Sequence, residues 1–546
     1  LNVVQARSFD DDGFILNIEE LASLYHLPAV GVETPTIDWV VSKKGEPPAT
    51  LPVEGTLPPS ELTLFAETDF RDKVLRFGIK PEDRKRHMYI IGQTGVGKSV
   101  LMKNMMIDDI RQGRGVAIID PHGEFVDSVL QCIPRSRLND VVILNPGDRE
   151  YSVGFNLLEN VDETKRELLA SGIMSIFKKI WEGVWSARME HIMKNVILAL
   201  MENQGTTLLS ATKMLVNKDY RKMIVDNVKD PVVREFWLEE FENQVKTNPR
   251  FATEAIAPIQ NKVGQFLSMP SVRNIIGQPK STIDIKDIMD NKKILLVKVA
   301  KGDIGDDNMA LLGAMIITKI QLTAMERSNM REEDMQNFYL YVDEFQNFAT
   351  SSFITILAEA RKYKLNLIVA HQYMGQISDE IREAVIGNAG NKIVFRVGEN
   401  DAMFLKNTFD PVFDEKDMVN ASNFHIYIKM MIDGVVTPPF SAITLPPIKP
   451  LPDDVPVEEV IGLSRSKFSV PRDAVEKAIL DWSEKMANIT GKSNDADDMP
   501  RVGRSGFGGV GDGDAAANKE EKPRIKYREV KDKSNGLWYI RKKKIE

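Results

Sequence analysis

A chain of 546 residues, 43% hydrophobic and 27% charged, is too long for one hydrophobic core and too apolar to stay disordered, so it should fold as several structural units. Its 71 basic residues against 79 acidic ones leave a formal charge of −8, which excludes a global positive field; any DNA contact must be local. A single cysteine, Cys132, excludes an intrachain disulfide, the histidines lack paired metal-ligand spacing, so no structural metal is expected, and apolar stretches such as Met309 to Ile317 fall short of the roughly 20 residues that span a bilayer.

Residues 1–61 read as an N-terminal arm and linker: "NIEELASLYHLP" carries a short helical pattern, and the Pro- and Gly-rich "KKGEPPATLPVEGTLPPSE" reads as a linker or extended arm. Over 62–160 the pattern changes to short β-branched runs, "MYIIG", "GVAIID" and "DVVILN", which resume over 281–446 as "KILLVKV", "FYLYVDE", "LNLIVAH" and "NKIVFRV". Buried parallel strands have this composition. Between them, over 161–280, apolar residues recur at helical spacing. Phe177, Trp181 and Trp185 sit four apart and Ile192 and Val196 continue the stripe, a helical core face with base stacking by the tryptophans as the alternative. The expected fold is therefore α/β, with a mainly parallel sheet and an inserted all-α domain.

A C-terminal extension over 447–490 should contain a helix in "PRDAVEKAILDWSEKMA", with Pro471 in its first turn. The glycine-rich stretch 491–522 reads as a flexible linker, and 523–546, which gathers "RIKYREVKDK" and "RKKK", as a basic and partly disordered tail, either solvated or phosphate-binding.

The most specific motif is Gly92-Gln93-Thr94-Gly95-Val96-Gly97-Lys98-Ser99, which satisfies G-x-x-x-x-G-K-[ST] between an apolar run and an amphipathic one. Glycines let a backbone wrap around phosphate oxygens with its N–H groups inward, and the following helix adds its positive end. Lys98 is expected to reach the β- and γ-phosphates of ATP, and Ser99 to give its hydroxyl to Mg²⁺. In "FYLYVDEFQNF", an apolar strand delivers Asp343 to the Mg²⁺ shell and Glu344 to the attacking water. Gln372, just past "LNLIVAH", is placed to sense the γ-phosphate, and Arg361 in "AEARKYKL" to act as an arginine finger across a subunit boundary. Asp120 in "IIDPHGEF" is either a neighbour of Mg²⁺ or lysine, or a turn-forming Asp-Pro.

The segments "YIIGQTGVGKS", "AIIDPHGEF", "YVDEF", "ARKYKLNLIVAHQY" and "GNAGNKIVFRVGENDA", in this order, resemble the HerA/FtsK superfamily of DNA-pumping motors. Within it the chain is most similar to the TraD/TraG-type coupling proteins of type IV secretion and conjugation, over about Leu62 to Leu445 and the helix near 471. The resemblance implies a RecA-like core, a hexameric ring of identical subunits and ATP-driven movement of DNA, with a relaxase or secretion-channel proteins as further partners. Lys98, Ser99, Asp343, Glu344 and Gln372 match motif positions directly, and Arg361 by its place before the last strand of the group. It also implies a cytoplasmic protein, or one at the cytoplasmic face of the inner membrane. Coupling proteins usually begin with membrane helices, so an anchor would lie upstream of Leu1. The alternatives are a secretion or pilus-assembly ATPase that moves protein, and a HerA-like DNA-processing translocase.

Overall fold

The seven apolar runs become seven parallel strands. The computed structural model describes Ile18 and residues 42–71, 73–489, 525–531 and 538–544. Its strands in chain order are β1 (Thr63–Thr68), β2 (Arg76–Ile79), β3 (Met88–Ile91), β4 (Gly115–Asp120), β5 (Val141–Leu144), β6 (Tyr151–Ser152), β7 (Ile294–Lys298), β8 (Phe338–Val342), β9 (Leu365–His371), β10 (Asn391–Val394), β11 (His425–Lys429), β12 (Met431–Ile432), β13 (Val435–Val436), β14 (Phe440–Thr444), β15 (Val470–Pro471), β16 (Ile525–Lys531) and β17 (Trp538–Lys544). Eleven make one sheet in the order β2-β1-β14-β11-β10-β3-β9-β8-β4-β7-β5. From β10 to β5 every pairing is parallel, whereas β11, β14, β1 and β2 extend the sheet antiparallel.

The parallel strands are apolar throughout because both faces of the sheet are covered. Alternate residues serve separate cores: Tyr89, Ile91, Ala117, Leu340 and Val342 face the helical region, while Ile90, Val116, Ile118, Tyr339 and Tyr341 face the helices Lys98–Arg111 and Glu124–Leu130. The antiparallel extension was not anticipated, since its strands are short and mix polar with apolar residues, as in "TLFAET".

From Arg166 to Asp290 the elements are helices, beginning with Arg166–Ile180 and Ala187–Met201. The aromatic stripe is core: Phe177 stacks on Trp181 with ring centroids 4.9 Å apart, and Trp181 meets Trp185 at 5.1 Å and Phe266 at 5.3 Å. Trp181 is only 3% exposed, which leaves no face for a base.

Three expectations need correction. The apolar stretch Met309 to Ile317 belongs to the helix Asp306–Glu326, within a helical run, Asp306–Asn329, that is long and apolar enough to cross a bilayer by length and composition; 78% of its most apolar window is packed inside the fold. The described part of the arm is docked: Leu51 and Val53 pack on the core, Gly45 N donates to Ser441 Oγ at 2.9 Å, and Lys43 N to Asp417 Oδ1 at 2.9 Å. Finally, Pro471 pairs with Tyr151 in the β15–β6 bridge, and the helix starts after it, at Arg472. A second helix, Val457–Phe468, precedes it.

Residues 495–546 form a unit distinct from 1–494. Within the stretch read as a tail, β16 and β17 pair antiparallel from Ile525↔Lys544 to Lys531↔Trp538. The linker reading of 491–522 and most of the helical pattern before Leu27 lie outside the described residues.

Candidate active site

The chain leaves β3, crosses over β9 and β8, and returns as β4, so the carboxyl ends of β3, β9, β8 and β4 share one edge of the sheet. Open parallel sheets bind ligands at such an edge. Here the phosphate loop follows β3, Asp343 and Glu344 follow β8, Gln372 follows β9, and Asp120 ends β4.

Gly97 caps the helix Lys98–Arg111 at φ +119°, a conformation closed to other residues. At Gly92 the constraint is space, because a Cβ would lie 2.6 Å from Phe395 Cβ. Lys98 donates to Gly92 O at 2.6 Å and Gln93 O at 3.0 Å, so its ammonium sits inside the curve of its own loop. Burial pulls its pKa down, and Glu344 and Asp343 pull it back up.

Ser99 Oγ donates to Asp343 Oδ2 at 3.2 Å across 244 residues of sequence. Asp343 carries more negative surroundings than it can comfortably hold: burial, then Glu344, then Asp120 raise its carboxyl to about 6, against the opposing pull of Lys98 and of the Glu344 N–H. Three carboxylates with one lysine that also serves two carbonyls form a cation-seeking site. Among the described residues no cluster of three His, Cys, Asp or Glu would bind a metal alone. The donor set fits Mg²⁺, which keeps waters and uses one or two protein oxygens alongside phosphates.

Glu344 adopts a left-handed backbone, φ 47° and ψ 49°, uncommon outside glycine and typical of strained functional positions. Its carboxylate is clamped from both sides. Gln372 Nε2 donates to Oε1 at 2.9 Å and Gln346 Nε2 to Oε2 at 2.7 Å.

Of the sequence-predicted residues, Gly92 to Ser99, Asp343, Glu344 and Gln372 converge. Arg361 does not: it precedes β9, about 20 Å of strand away from Gln372, and is exposed beside His87 at the opposite end of β3. Asp120 is a turn former, its two oxygens accepting from His122 N and Val126 N at 2.9 Å each, while its charge still reaches Asp343.

A family model for the type IV secretion-system coupling protein DNA-binding domain matches residues 76–407, well over half of the chain. The chain belongs to that family. Like it, the Type 4 coupling protein DotL of Legionella pneumophila is similar, 21% identical over 355 residues, which cover 53% of this chain and 44% of DotL; the chain thus spans less than half of that relative's length. Among solved structures, the bacterial conjugative coupling protein TrwBdeltaN70 in its unbound monoclinic form matches at a TM-score of 0.52 and 15% identity, covering 70% of this chain and 89% of that one. The plasmid coupling protein TrwB with ADP and Mg²⁺ matches at 0.52 and 14%, covering 70% and 90%. These two establish a shared fold. The coupling-protein match spans every residue gathered at the site, from Gly92 to Gln372.

Two site residues escaped the reading of this coupling-protein sequence. Gln346, two positions past Glu344, is a polar residue in an apolar segment and was legible as such. His371 was not. It is fully buried, burial and then Lys98 hold it at about 3, hence neutral, and it packs edge-on against Phe345 at 4.9 Å behind the acidic loop.

Proposed function

We propose that this coupling-protein chain is an Mg-ATP hydrolase that drives DNA through a ring in type IV secretion. The observation that carries the reading is the approach of Ser99 to Asp343, which makes one site of a phosphate loop and an acidic strand end.

The loop amides and Lys98 bind and orient the terminal phosphates. Ser99 and Asp343 would hold Mg²⁺, whose bound charge neutralises the phosphates and the carboxylate cluster. Glu344, held at a set angle by Gln346 and Gln372, orients the attacking water and takes up its proton as the water oxygen bonds to the γ-phosphorus and the bond to the β,γ-bridging oxygen breaks. Gln372 donates to Glu344 from the end of β9, so it can report the γ-phosphate to that strand. Arg361, at the far edge of the same strand, is the residue we assign to a neighbouring subunit's site. In mixed rings, Arg361→Ala should depress turnover beyond simple dilution; a linear loss would remove that role.

DNA as cargo is supported by the family, which is that of a coupling-protein DNA-binding domain; a homohexameric ring, relaxase or channel partners and a place at the cytoplasmic face of the inner membrane are our reading from the resemblance in motif order. The deciding test is ATPase activity of the purified ring with single- and double-stranded DNA. We expect stimulation that weakens steeply with salt, as phosphate contacts release counterions. The formal charge of −8 favours the rival, an ATPase that moves protein and ignores DNA; indifference to both DNA forms at low salt would decide for it.

A further inference from the structure

The helical region holds the segment after the acidic pair chiefly through an ammonium group. Lys179, in the last turn of the helix Arg166–Ile180, donates to Gln346 O at 2.5 Å and to Ala349 O at 2.6 Å. One turn earlier on the same helix, Ser175 Oγ accepts from Ser351 Oγ at 3.1 Å. These contacts bracket the turn that carries the clamp on Glu344. The same Gln346 whose carbonyl Lys179 holds sends its side chain to Glu344 Oε2.

Such a contact is costly to keep. Burial opposes the charge on Lys179 and draws its pKa down to about 8, with Glu182 offsetting part of the effect. A lysine on a helix can ordinarily reach water along its flexible stem. This one converges two backbone carbonyls on a single point and so sets the shape of the turn Phe345–Asn347. Immediately behind it, Phe177 and Trp181 stack and Trp181 packs on Phe266, so the end of the helix is packed into the core of the helical region.

We propose that Lys179 is a positioning residue through which the helical region sets the angle of Glu344, so that displacement of that region switches hydrolysis on or off. This deepens the ATPase reading above and rests on it. The path is short: ammonium, Gln346 carbonyl, Gln346 amide, Glu344 carboxylate.

The test uses the full chain with Lys179→Met, which keeps the stem and loses the donors, and Lys179→Arg, which restores both charge and donors. Amide hydrogen exchange should rise about tenfold or more in residues 344–351, where Asn347, Phe348 and Ala349 donate into the turn, and stay unchanged in β4. Turnover of ATP should fall about 10- to 100-fold in Lys179→Met with KM and nucleotide affinity nearly constant, as for a misplaced catalytic group, and Lys179→Arg should recover most of it. Unchanged exchange in 344–351, or a loss of KM, affinity and melting temperature together, would overturn the proposal. Absence of hydrolysis in the wild-type chain would instead overturn the ATPase reading, and the exchange pattern then decides on its own whether Lys179 holds the loop.

Discussion

Two clusters of buried charge lie on the helix that follows the phosphate loop and on the strand β8, and they are built in opposite ways. At one, Asp109 receives Arg84 through two hydrogen bonds of 2.6 and 2.9 Å, Arg114 at 2.7 Å and Tyr341 OH at 2.6 Å, while Arg84 also lies 3.8 Å over the ring of Tyr339. Burial works to raise the pKa of Asp109, yet the two guanidiniums overcome it and hold the carboxyl low. At the other, Asp343, Glu344 and Asp120 face one lysine that is occupied by its own loop. The first cluster is neutralised within the chain and locks the helix Lys98–Arg111 to β8. The second is left short of positive charge where a ligand is to arrive. Structure is held by satisfied charges, and chemistry is prepared by unsatisfied ones.

The contrast can be broken in four places. The largest effect belongs to Glu344→Gln, which should cut hydrolysis by about a hundred- to ten-thousand-fold and leave binding of a fluorescent nucleotide intact; surviving turnover would mean that Glu344 has been given the wrong role. Next, Asp109→Ala strands the buried Arg84 guanidinium and removes one partner of Arg114, and should destabilise the fold by roughly 3–5 kcal/mol in urea unfolding, whereas a wild-type midpoint would show that the lock contributes nothing.

Asp343→Asn should do the reverse. A carboxyl raised from 3.8 to about 6 on folding contributes nothing adverse below pH 3.8 and costs progressively more as pH rises through 6, reaching about 3 kcal/mol in the fully ionised form. The variant should therefore melt higher than wild type at pH 8, match it near pH 4, and lose Mg²⁺ dependence of nucleotide binding. Equal melting at pH 8 would refute the charge-excess account. For the same reason, Mg-nucleotide affinity of the wild type should weaken below about pH 6, as the proton competes for Asp343. The smallest effect is Gln346→Ala, expected to lower turnover about tenfold by freeing one side of Glu344 while leaving unfolding unchanged.

Much of the site was legible because its signals are local. A phosphate loop must have glycine where φ is positive and where backbone approaches backbone, and Gly97 and Gly92 obey this for separate reasons. Asp343 and Glu344 stood out as charges at the end of an apolar run. Lys179 did not, because a lysine in an amphipathic helix reads as solvent-facing whatever its terminal nitrogen meets. His371 was hidden for the converse reason, as a polar residue that closes an apolar strand. Arg361 precedes β9, exposed at the end of the strand opposite Gln372, and no local pattern says which end of a strand will face the phosphate loop.

Periodicity and side-chain type by themselves marked the seven parallel strands and the helical region between them, and picked out the phosphate-loop and acidic residues that converge at one edge of the sheet. Tertiary structure decided the strand order, and with it the meeting of Ser99 with Asp343, of Asp109 with Tyr341 and of Lys179 with Gln346. The reason is physical. Backbone preference acts over a few residues, whereas buried charges and carbonyls must find partners wherever packing brings them, and no local pattern records which distant group that will be.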